Sequence, residues 1–168
     1  MLRQKKLSNN FIGSLIQLSG GRIVSKTLDD FFTLLEKEIT RHYFTASSES
    51  NLLRIIKSQY DFTFFVNEII KYPHHIEMLV SISSNSNYLS DILVINPEFF
   101  YMMTDLSILS SKLDQKKFSE EVEDRISRYN SLDAKTHALN SLKRREILRI
   151  GLKDIWNKTE VAETTAEL

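Results

Sequence analysis

The chain has no cysteine, which removes disulfides, thiolate metal sites and a cysteine nucleophile together. It has only 2 prolines and 4 glycines, so little in it breaks regular structure. It has no excess of either charge: 22 Lys and Arg balance 22 Asp and Glu, and any electrostatic partner must be met by a local patch. It has no apolar run near the ~20 residues of a membrane span; Ile92-Leu93-Val94-Ile95 is typical of its longest. The basic start, Met1 to Lys6, is followed by no apolar core with a small-residue cleavage site. These absences point to a cytoplasmic chain without a membrane partner. With 168 residues and 42% apolar content, one domain with a real core is the simplest organisation.

What is present is helical periodicity. Apolar residues recur at three and four throughout, so the fold class is all-α, an irregular multi-helix bundle with paired short helices and one long basic helix. We divide the single domain into residues 1–26 (first helix and linker), 27–113 (helix pairs) and 114–168 (acidic helix, long basic helix and the start of a last one). Phe11, Ile12, Leu15, Ile16 and Leu18 share a face of the first helix, which Gly20-Gly21 stops. Thr27 with Asp30 reads as the cap of the second, and the polar stretch Thr45 to Asn51 as a loop. Helices follow over 52–57, 62–71, 74–82 and 87–95, with a break at Ser83 to Ser86. Asn96 should cap a helix whose first residue is Pro97.

Pro73 and Pro97 lie 24 positions apart and mark an approximate repeat. Aligned on them, Phe64, Phe65, Ile69 and Ile70 fall on Tyr88, Leu89, Leu93 and Val94; Ile76, Met78 and Leu79 fall on Phe100, Met102 and Met103. Two copies are too few for a solenoid, so the pattern predicts helix-pair packing. Phe118, Val122, Ile126 and Tyr129 give an amphipathic helix bearing Glu120, Glu121, Glu123 and Asp124. Asp133 should cap the long basic helix, which runs to about Trp156; Asn157 suits its end and Thr159 opens another helix. That helix meets no stop signal before Leu168, so we expect a piece of a longer chain.

Candidate chemistry is sparse. Asp29-Asp30 after Gly20-Gly21 has the wrong spacing for a two-metal carboxylate pair, because adjacent helical side chains diverge by about 100°. Adjacent His74-His75 cannot converge on one ion and reads as a solvated helix start. His42 and His137 stand alone. No Gly-rich phosphate turn and no nucleophile elbow occurs. The chain therefore shows no catalytic, cofactor-binding or metal residues of its own.

The exception is Lys143-Arg144-Arg145-Glu146-Ile147-Leu148-Arg149-Ile150. On a helical wheel Ile147, Leu148, Gly151, Leu152 and Ile155 form an apolar stripe that contains Arg144, so Arg144 should be partly buried and paired, the most buried arginine of this helix. Arg145, Arg149 and Lys153 stack on a more polar arc, with Asp154 beside them. Pairing of this column with the Glu120 to Asp124 cluster is favoured over a docking face for another domain. Nucleic-acid binding through Arg145, Arg149 and Lys153 is disfavoured by zero net charge and the lack of interleaved aromatics.

These residues resemble the glutamine synthetase adenylyltransferase family. The resemblance runs through Leu142 to Ile150, Asp154-Ile155, Thr159-Glu160-Val161 and Thr165-Ala166-Glu167-Leu168. The pairs ending at Pro73 and Pro97, with Ser86-Asn87-Tyr88-Leu89 and Asn96-Pro97-Glu98, are similar to the family's helical segment, so it extends over about 28–168. Trp156 and Asn157 depart from the smaller residue and glycine usual at that bend. The resemblance implies a parent enzyme that uses ATP and Mg²⁺ to transfer AMP to a tyrosine of glutamine synthetase. It also implies removal of that AMP, under control of a nitrogen-signalling protein and glutamine. In that setting the chain is a noncatalytic scaffold or regulatory domain against an adjacent nucleotidyltransferase domain. Arg144, Arg145, Arg149, Lys153 and Asp154 are its structural or docking candidates. The alternative is a stand-alone helical adaptor for protein partners.

Overall fold

A computed structural model describes residues 7–110 and 114–156, which form helices and turns with no strand. The all-α expectation holds. The chain separates between Glu98 and Phe99 into two compact units.

The first unit carries α1 (Asn9–Ser19), α2 (Ser25–Ile39), α3 (Ala46–Ser58), α4 (Phe62–Lys71), α5 (His74–Asn85) and α6 (Asn87–Ile95). Ser8 caps α1 by accepting from the Phe11 N–H, and Gly20 ends it in the left-handed region at φ 54°, where a side chain would be strained. Phe11 and Leu15 are buried as expected, whereas Ile16 and Leu18 are exposed. The second helix starts before Thr27, at Ser25, behind Val24 and without a side-chain cap. Val24 is exposed, so the first-turn N–H groups can be satisfied by water.

The segment read as a loop, Thr45 to Asn51, is instead the first half of α3. Thr45 and Ser48 form a reciprocal capping box there. Tertiary partners outweigh the weak propensity of these small polar residues. Buried Asn51 donates through Nδ2 to Asn87 Oδ1 at 2.7 Å and to the Ser83 carbonyl at 3.3 Å. Glu49 accepts from the Ser8 N–H and hydroxyl at 3.0 and 2.6 Å. The expected break at Ser83 is likewise helical. Its side chains bond back to their own helix: the Ser83 hydroxyl donates to Val80 O, and Asn85 Nδ2 to Ser81 O. Ser86 alone separates α5 from α6, ending one helix and capping the next through its hydroxyl.

α3 packs on α5 and α6, and α2 on α4 and α5. Phe31 lies at the centre, fully buried, with Phe62 and Phe65 edge-on at 6.5 and 6.4 Å. The 24-residue repeat is visible in the backbone. Tyr72 (φ −126°, ψ 79°) and Asn96 (φ −129°, ψ 72°) end α4 and α6 in the same conformation, which the following proline enforces. Phe65 and Leu89 are both buried, as are Ile69 and Leu93, while Phe64 and Tyr88 are both exposed.

The second unit carries α7 (Glu98–Met103, starting one residue after Pro97), α8 (Leu106–Ser110), α9 (Gln115–Ser127) and α10 (Leu132–Ile155). Asp114 caps α9 by accepting from the Lys116 and Lys117 N–H groups at 3.0 and 3.2 Å. Ser131, not Asp133, caps α10, accepting from the Ala134 N–H, and Asp133 sits in the first turn where a negative charge suits the helix dipole. α10 packs against α8 and α9 and ends at Trp156 as expected. The expectations at Asn157 and for a helix from Thr159 lie outside the described residues.

Candidate functional site

α10 is 24 residues long, with apolar and charged side chains distributed nearly all the way round it. Its buried positions are Ala138, Leu142, Leu148, Arg149, Ile150, Leu152 and Lys153. The wheel placed the inward face about one residue away from this. Arg144 is half-buried, but the most deeply buried arginine is Arg149, 3% exposed, which the wheel had set on the polar arc. The correction has a physical origin. Apolar content alone chose the stripe, but ion pairing lets arginine stems and heads enter the packed face against α8 and α9.

The pairing is built from five residues. Arg145 presents its fork to Glu121 on α9, Nη1 to Oε1 at 2.6 Å and Nη2 to Oε2 at 2.7 Å. This two-point geometry is the strong form of an arginine–carboxylate contact. Arg145 also donates from Nε to Glu146 Oε1 at 2.8 Å, and Arg149 donates from Nε to Glu146 Oε2 at 2.8 Å. Glu146 thus bridges both arginines with one carboxylate. Arg125 reaches Glu121 Oε1 at 3.3 Å from one turn along α9. The Arg145 hydrogen bond, opposed by burial, holds the Glu121 carboxyl below its ordinary range, and the same contact raises Arg145.

An open groove of about 400 Å³ lies beside the cluster. Met102, Ile108 and Phe118 give it apolar walls, and Lys117, Glu121, Arg145, Glu146 and Arg149 give it charge of both signs. Of the sequence candidates, Arg145 and Arg149 come together here. Arg144 and Asp154 do not line the groove, Asp154 is exposed, and Lys153 is buried. Glu121 is the member of the acidic cluster that matters, and the sequence carried a signal for it. It sits three residues after Phe118 and four before Arg125, at the border of the apolar stripe, whereas Glu120 and Glu123 point to solvent.

The histidine pair also departs from its reading as a solvated helix start. His74 is exposed, but His75 is 6% exposed, packed against Tyr72 and His74 with ring centroids at 5.4 and 4.3 Å. Burial, with the neighbouring His74, pushes its pKa down to about 4. Among the described residues no group of three or more His, Cys, Asp or Glu is placed to hold a metal ion. None of their helices is long and apolar enough to cross a membrane.

A family model described as glutamate-ammonia ligase adenylyltransferase matches residues 76–168. This chain belongs to that family. The match takes in most of α5 and all of α6 to α10, including every residue of the charged cluster. It begins at Ile76, so the resemblance read over 28–75 lies outside it. No curated protein and no solved structure matches. Membership ties the chain to the regulation of glutamine synthetase, the glutamate-ammonia ligase of the family's name, by adenylyl transfer.

Proposed function

We propose that this chain is a noncatalytic helical scaffold of an adenylyltransferase that moves AMP from ATP to a tyrosine of glutamine synthetase and removes it again. Its immediate partner is an adjacent nucleotidyltransferase domain, which brings the ATP and Mg²⁺. A nitrogen-signalling protein acts through the same parent enzyme, in the cytoplasm. The observation that carries the reading is the family match over 76–168, the stretch that contains the brace between α9 and α10. The two-point ion pair sets how α9 lies on α10, and so the shape of the helical face offered to a catalytic domain while that contact is made.

The test uses the purified chain, glutamine synthetase and Mg-ATP labelled in the α-phosphate. The chain alone should transfer no label. Mixed with a nucleotidyltransferase domain of the same family, it should bind that domain and raise labelling. AMP transfer by the chain alone, or no binding to the catalytic domain, would refute the proposal.

A further inference from the structure

α9 differs from its neighbours in how it is held. α1 to α7 and α10 each bury at least one side chain, but none of the 13 residues of α9 is buried. Its apolar residues Phe118, Val122 and Ile126 are only half-buried. The groove of about 400 Å³ along Phe118 shows why: the helix does not close down on the apolar walls of Met102 and Ile108. Contacts are lost wherever such a gap remains, so dispersion and burial hold this helix weakly. The two-point contact between Glu121 and Arg145 stands out against that loose packing.

Arg145 and Glu146 do not depend on α9 for all of their partners. When Glu121 leaves, Arg145 keeps Glu146, and Glu146 keeps Arg149. Release leaves the two arginines sharing one carboxylate, so each keeps a hydrogen-bonded partner although the cluster on α10 then carries a net positive charge. Glu121 keeps Arg125 on its side. Each half of the contact thus has a fallback partner.

We infer that α9 is a releasable strap, latched to α10 by the Glu121–Arg145 ion pair, whose opening draws Phe118 away from Met102 and Ile108 and widens the groove between them. The latch is only partly shielded, with Glu121 33% exposed, so salt weakens it. The packed face of α10 stays in place while the strap moves, because Leu142, Leu148 and Leu152 are buried and do not titrate or screen.

The chain lacks cysteine, so a spin-label pair can be placed without altering native thiols. Labels at the exposed positions Glu120 and Lys143 report the separation of the two helices, and hydrogen exchange of the full chain reports opening residue by residue. In low salt, α9 amides should exchange at least about tenfold faster than those of Leu142 to Leu152. Glu121→Gln should accelerate α9 by about a further tenfold, the worth of a charged hydrogen bond, and leave 142–152 unchanged. Glu123→Gln, on the exposed face, should change neither. In about 1 M NaCl the label distances should gain a second, longer population. Equal exchange of α9 and α10 in every variant, or one salt-independent distance, would overturn the latch.

Discussion

At the scale of single residues, Arg145 and Arg149 enter the interior against carboxylates at hydrogen-bond distance. Arg149 is the sharpest case, 3% exposed with its Nε on Glu146. Arg149→Ala removes both the pairing and the packed stem, and should cost about 3 kcal/mol, while Arg144→Ala at a half-buried site should cost under about 1 kcal/mol. Urea midpoints of the two variants decide it, and equal midpoints would contradict the assignment. His75 is buried by the opposite route, as the neutral ring. Its pKa is pushed from about 6.5 in the unfolded chain to about 4 in the folded one. Between those values the unfolded chain binds a proton that the folded one does not, so stability is full above about pH 6.5 and falls as pH drops toward 4. His75→Gln should flatten the denaturation profile across that window. An unchanged slope would mean that His75 titrates normally.

At the scale of helices, start and stop points follow polar side chains that have somewhere to bond. α3 begins at Ala46 because Thr45 and Ser48 cap each other and Asn51 reaches Asn87 and the Ser83 carbonyl. Asn51→Ala should therefore lower stability by about 1–2 kcal/mol, read by thermal unfolding, although its surroundings look like loop sequence. If 45–51 carried no structural role, that substitution would be silent. The same logic shows where sequence reading reaches and where it stops. α4 and α6 were legible to the residue, since Asp61, Pro73 and Pro97 punctuate them and Phe65, Ile69, Leu89 and Leu93 give their inward faces. The first half of α3 and the end of α5 were not, because serine and asparagine there bond to partners more than 30 positions away or back to their own helix. The charged cluster was legible as composition but not as orientation. A helix with apolar residues all round offers periodicity no preferred face, and Glu121 decides it from another helix.

At the scale of the whole molecule, the described chain is two helical units joined at Glu98 and Phe99, with the family match beginning in one and running through the other. The all-α class and the family are both readable in the sequence, the first from scarce breakers, the second from Leu142 to Ile150 and its flanks. One feature of the first unit bears on how the chain survives in a cell. A protease needs a stretch of backbone it can draw out into its cleft. The serine- and asparagine-rich run Ser83-Ser84-Asn85-Ser86-Asn87 has the composition of a cleavage-prone linker, yet Ser86 is its one residue outside a helix and its hydroxyl already serves Leu89. The run offers no slack to draw out. Limited digestion with a protease of broad specificity should leave 83–87 intact while it cuts elsewhere, and early fragments ending in this run would show that the elbow opens in solution. Composition marks this run as the softest place in the fold; the shared cap makes it one of the most resistant.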